Sequence, residues 1–189
     1  MFNLSKRSAI ILGVVLAIMM WMTRGLHVAT ATHFPDASWA IFFMLGFYFR
    51  QRLMLPLFLA QAALIDYFAI TQFGVDPFCV TPAYAFLLPA YSVMWLAGHW
   101  YATRYQFHAR TLPLFAAAAL VGSVSCELIS SGSFYFLGGH FADTSLTVFA
   151  TRLAQYFPAN LAGVALYLAI AALTHALFVS MKHSTRATQ

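Results

Sequence analysis

Charge is what this chain of 189 residues has least of: ten lysines and arginines and five acids, 8% of the total. Soluble globular domains are about one-quarter charged, so this composition does not supply a water-facing surface. Cysteine is scarce as well. The two present, Cys79 and Cys126, belong to no C-x-x-C, H-E-x-x-H or C-x-x-C-H pattern, so no protein-built zinc or haem site is expected. No G-x-x-x-x-G-K-[ST] loop cradles a nucleotide phosphate, which excludes ATP hydrolysis by that route. Repeats and low-complexity tracts are missing too, and residues 1–189 read as one domain.

Apolar residues are what the chain has instead. They make up 62% of it, and the mean hydropathy is +0.77. A core of this length needs far less apolar surface, so lipid must be the solvent. The apolar runs are continuous rather than alternating, which favours helices over a lipid-exposed β-barrel. The expected fold is therefore an all-α integral membrane protein. The net charge of +5 invites a nucleic-acid reading. However, the basic residues fall in small groups between apolar runs, the pattern of topology signals, and no nucleic-acid partner is expected. Lys6 and Arg7 precede an apolar run as in a signal peptide, but no small-x-small site with a soluble domain beyond it follows, so the run reads as a mature helix.

About 20 apolar residues cross a hydrocarbon layer of ~30 Å. Six segments answer to this: residues 8–22, 37–49, 53–73, 83–101, 112–137 and one within 147–181. The second is short. The last window is too long for one span, and Pro158 is expected to separate a short helix carrying Arg152 from a membrane helix over 160–181. With six spans both termini share a side. That side holds Lys6, Arg7, Arg50, Arg52, Arg104, Arg110, Lys182 and Arg186, against Arg24 and Arg152 opposite. The positive-inside rule then makes both termini cytoplasmic. The outward loops, 23–36, 74–82 and 138–145, contain Asp36, Asp76, Asp143, His27, His33, His140 and Cys79. Recognition or chemistry therefore faces outward, in a multi-pass membrane protein.

Asp66 lies seven residues before the outer end of the third segment, roughly 10 Å below it at ~1.5 Å per residue. A carboxylate at that depth must face a cavity or a partner. Glu127 raises the same question, with Ser123, Ser130 and Ser131 on its helix face as a polar stripe or as interhelical glue. Cys79 sits in D-P-F-C-V-T-P, where prolines restrict the backbone on both sides. Three readings fit it: an inert small hydrophobe, a disulfide partner of Cys126, or a thiolate ligand to a soft metal arriving in its own macrocycle. Tyr84 and Tyr91 are two helical turns apart, suited to the wall of a planar ligand's site. His27 stands in the first outer loop as a second ligand or donor. Trp100, Tyr101 and Tyr105 fit an inner interfacial belt. Ala9, Gly13 and Ala17 make a small-residue stripe that lets another helix approach, inside this chain or on a membrane partner.

Taken together, the six short spans, the outward site and the missing motor resemble the substrate-binding S-components of energy-coupling-factor transporters. At Asp66, Cys79 and Tyr84, with His27 and the A-S-W-A-I-F-F-M-L-G-F-Y-F-R run of segment two, the chain closely resembles the BtuM family of bacterial cobalamin transporters. The resemblance covers essentially the whole chain. It implies cobalamin as bound substrate, Cys79 as the axial thiolate on the corrin cobalt, and Asp66 and Tyr84 as its supporting shell with His27 and Tyr91 nearby. It also implies base-off binding, cysteine-mediated removal of cyanide, and a shared ATPase module docking on the Ala9/Gly13/Ala17 face. Another vitamin or haem as cargo, or a small redox enzyme using Cys79 and Asp66 on a lipid or quinone, are the competing readings.

Overall fold

A computed structural model describes residues 5–25, 34–49 and 51–187, without the side chains of Gly25, Cys79 and residues 182–187. Every described element is helical. They are α1 (Lys6–Met20), α2 (Ser38–Tyr48), α3 (Met54–Phe73), α4 (Leu87–Arg104), α5 (Leu112–Leu137) and α6 (Leu146–Ala187). A wider π turn, Trp21–Gly25, extends α1, and short 3-10 turns, Pro77–Cys79 and Pro82–Phe86, lead into α4. Four helices are long and apolar enough to cross a bilayer: Lys6–Arg24, Met54–Phe73, Ala109–Leu137 and Leu146–Met181. Their outward faces carry side chains such as Ile10, Val14, Leu64, Val121, Ile170 and Leu173, all exposed. Only lipid makes such surfaces stable. The chain is a helical membrane protein.

α2 has only 11 residues, roughly 16 Å of helix at 1.5 Å per residue, and fills a different role from the long helices. Residues 40–46 along it are all buried, so it is the centre of the bundle rather than a lipid-facing wall. Its hydrophobicity all round is what a fully enclosed helix needs. α4 packs against it backbone to backbone. A Cβ on Gly46 would collide with the Trp95 carbonyl, and one on Gly98 with the Phe43 carbonyl. Small residues at such a crossing replace side-chain packing with close van der Waals contact, the usual device in lipid. Phe42 stacks on Tyr91 across the same interface, with ring centroids 4.5 Å apart. Met94 and Cys126 close the core with no exposure.

The sixth segment corrects an expectation. Pro158 does not divide it: α6 runs unbroken for 42 residues with the proline inside. A proline removes one backbone hydrogen bond, and a helix surrounded by neighbours and lipid tolerates that loss. The aromatic belt also splits. Trp100 is exposed under the Arg104 guanidinium at 4.2 Å, as a belt residue would be. Tyr101 is buried, and the Tyr105 hydroxyl bonds to His175 Nε2 at 2.7 Å. Both line an aromatic cavity of about 260 Å³. The small-residue stripe packs partly within the chain. Gly13 faces the Phe49 ring, and the Ala17 carbonyl accepts from Gln61 Nε2 at 2.8 Å. The same stripe lines an open groove of about 1050 Å³ between α1 and α3.

Candidate functional site

The helices alternate in direction, so the end of α1, the start of α2, the last turns of α3 and α5 and the starts of α4 and α6 meet at one end of the bundle. Arg24 is the hub there. It rides on the π turn after α1, a widened geometry that often marks functional positions. Thr23 anchors that turn by donating to the Met19 carbonyl (2.9 Å) and accepting from the Ala37 N–H (3.2 Å). The Arg24 guanidinium grips Asp66 with a fork: Nε to Oδ1 and Nη2 to Oδ2, both 2.6 Å. Its Nη1 donates to the Tyr91 hydroxyl at 2.7 Å, and to Asp36 and Ser38 at 3.3 Å. Asp36 in turn accepts from the Ser38 hydroxyl (2.6 Å) and N–H (2.9 Å), fixing the entry to α2.

Tyr84 completes the cluster. Two hydrogen-bonded turns bring it there: Asp76 accepts from the Phe78 N–H, and Thr81 from the Ala83 N–H. Its hydroxyl donates to Asp66 Oδ2 at 2.7 Å. Asp66 thus takes three short charge-assisted bonds, which is how a carboxylate inside an apolar run becomes tolerable. Among the described residues, the salt bridges of the structure are those of Arg24 with Asp66 and Asp36.

A cavity of about 320 Å³ opens on this cluster and is lined by Arg24, Asp66 and Tyr84. Glu127, Ser130 and Ser131 from α5 and Arg152 and Tyr156 from α6 line it too. Glu127 is nearly enclosed, at 3% exposure. It accepts from the Ser131 hydroxyl at 2.6 Å and from Asn160 Nδ2 at 3.0 Å. The expected serine stripe is therefore divided: Ser130 turns to the Cys126 carbonyl (2.9 Å), and among the described residues the buried Ser123 hydroxyl has no hydrogen-bond partner. Arg152 is held among aromatic faces, 4.8 Å from the Phe141 ring centroid and 5.7 Å from that of Tyr156. Among the described residues no carboxylate lies within ion-pair reach of it.

The residues singled out from sequence distribute as follows. Asp66, Tyr84 and Tyr91 come together around Arg24, but Tyr91 is buried behind the guanidinium and does not line the cavity. Cys126 is a buried free thiol, so it makes no disulfide with Cys79. His27 and the Cys79 side chain lie outside the described residues. The backbone turn that holds Cys79 sits at the cavity rim. The ring of its neighbour Phe78 packs on Phe134, a lining residue, at 5.5 Å, and the Phe78 carbonyl meets His140 Nε2 at 2.8 Å. Sequence reasoning passed over Arg24, treating it as an exception to a charge rule. Its signal was its position, the one lysine or arginine in the first outward loop with Asp36 at that loop's end. Asn160 gave no signal at all.

The arrangement makes one polar wall of a neutralised arginine–carboxylate–tyrosine cluster. The lining from α5 and α6 adds a carboxylate and an arginine that do not pair with each other. Such a lining presents both hydrogen-bond donors and acceptors to the cavity. No protein-family model matches the chain, and no curated protein matches it in sequence.

Proposed function

We propose that this protein binds cobalamin at the outer face of a bacterial inner membrane and mediates its uptake, as the resemblance to the BtuM family implies. The observation that carries the reading is the convergence of Asp66 and Tyr84 on one cavity wall, beside the proline-flanked turn that holds Cys79. In this reading α2 and α4 join the four long helices to make six spans, with both termini cytoplasmic and the cavity outward. A whole corrinoid is larger than about 320 Å³. The ligand therefore sits across the cavity mouth with one edge in it, beside the turn that holds Cys79.

Cys79 is the axial ligand to the cargo's cobalt in this account. A bound metal deprotonates a coordinating thiol, so the sulfur meets the cobalt as thiolate. With cyanocobalamin the step is a ligand substitution. The thiolate takes the position of the vitamin's own benzimidazole: a cobalt–sulfur bond forms as the cobalt–benzimidazole bond breaks, which gives the base-off form. The sulfur opposite then labilises the cyanide, which leaves with its electron pair as water takes its place, and cobalt stays trivalent. Asp66 and Tyr84, locked to each other and to Arg24, hold the floor beneath this reaction rigid. Energy for release inward comes from a partner or an ion gradient, since the chain carries no nucleotide loop. The groove along Ala9, Gly13 and Ala17 is the face we assign to that energising module.

The absorbance of protein purified from cells grown with cobalamin tests the reading. A corrin band supports it. A Soret band makes haem the cargo, and neither band removes both.

A further inference from the structure

Glu127 is a carboxylate within a membrane-crossing helix, 3% exposed, and the side chains that donate to it, Ser131 and Asn160, are both neutral. Ser131 and Asn160 occupy one acceptor position on each oxygen. An ionised carboxyl group has about four, so roughly half its capacity is left. Among the described residues no basic side chain lies within ion-pair distance of it. Arg24 is committed to Asp66, and Arg152 to the faces of Phe141 and Tyr156. An acid buried in lipid without a cation is costly, and such groups mark ligand or ion pathways. Glu127 lines the same cavity as Arg24, Asp66 and Tyr84. Whatever enters must therefore present hydrogen-bond donors to it.

We propose that Glu127 is a specificity-determining residue that accepts N–H bonds from a primary carboxamide on the ligand's edge, and so rejects the corresponding carboxylic acid. The inference rests on the cobalamin reading, because a corrinoid carries a rim of such amides. Two carboxylates brought together in a cavity this enclosed repel each other, and an amide that becomes an acid loses its donors at the same time. Arg24 and Arg152 line the same cavity. An acid placed elsewhere on the rim is therefore not excluded by overall charge, and discrimination reports the position of Glu127 itself.

The test is equilibrium binding of hydroxocobalamin and of its single-amide-to-acid derivatives by the purified wild type, Glu127→Gln and Ser131→Ala. The expected result is that wild type disfavours at least one acid derivative tenfold or more. Glu127→Gln, which keeps the shape, should bring that ratio close to one. Ser131→Ala, which leaves the carboxylate in place, should preserve it. A wild type that does not discriminate, or a Glu127→Gln protein whose ratio is unchanged while every affinity falls together, overturns the inference and makes Glu127 structural. In both cases cobalamin still binds, so the functional reading stands. A wild type that binds no cobalamin at all overturns both.

Discussion

Asparagine at Asp66 keeps the size of the side chain and removes the charge that Arg24 and Tyr84 are built around. The wild-type carboxylate accepts two bonds from the guanidinium at 2.6 Å and one from the tyrosine at 2.7 Å. Hydrogen bonds to charged groups contribute about 1.5–3 kcal/mol each, and deleting one partner of a fully buried pair costs about 3–5 kcal/mol. Two features lower that figure here. The Asp66 side chain is 23% exposed, and Arg24 (12% exposed) keeps Asp36 at 3.3 Å. The expected destabilisation of Asp66→Asn is therefore about 2–3 kcal/mol, with solvent screening applied. The assay is reversible unfolding in mixed micelles, run on wild type, Asp66→Asn, Tyr84→Phe and the double variant. The two side chains should be coupled by about 1 kcal/mol, since they share a bond. An Asp66→Asn protein within about 0.5 kcal/mol of wild type, or strictly additive variants, would refute the idea that this cluster locks the bundle end.

Gly98→Ala should destabilise the fold by more than the ~1–3 kcal/mol typical of overpacking, because its Cβ meets the Phe43 backbone rather than a movable side chain; the same unfolding assay measures it. Cys126→Ala should leave the spectrum of bound cobalamin unchanged, because Cys126 is a buried free thiol that does not line the cavity; a shifted spectrum would contradict this. Arg152→Gln removes a charge that balances no described carboxylate, so the fold should be kept within about 1 kcal/mol while ligand affinity falls. Thermal unfolding and binding titration separate the two effects.

The sequence made some features plain because they are written locally. The apolar run at 112–137 coincides with α5, and that at 53–73 matches α3 to one residue. Continuous apolar stretches bounded by prolines, glycines and arginines leave little choice of helix. Partners far apart in sequence were harder to see. Arg24 and Asp66 are 42 positions apart, and Glu127 and Asn160 are 33 apart. No periodicity links such pairs; only the packing of whole helices does. The intact α6 was missed for a related reason. The break expected at Pro158 follows from propensity in water, whereas lipid and neighbouring helices hold the backbone helical on both sides. Tyr84 and Tyr91 illustrate a partial success. Helical spacing put them on one face, yet Tyr84 stands on a 3-10 turn that reaches over Asp66, while Tyr91 lies beneath Arg24.

The bond between one sulfur and the cargo's cobalt can be measured directly. Visible absorption spectra of hydroxocobalamin and cyanocobalamin bound to wild type and to Cys79→Ala report the axial ligands of the metal. The account predicts a common thiolate-ligated, base-off spectrum for both forms on wild type, with cyanide released from the second. On Cys79→Ala it predicts the spectra of the free vitamins. Identical spectra on the two proteins would contradict it.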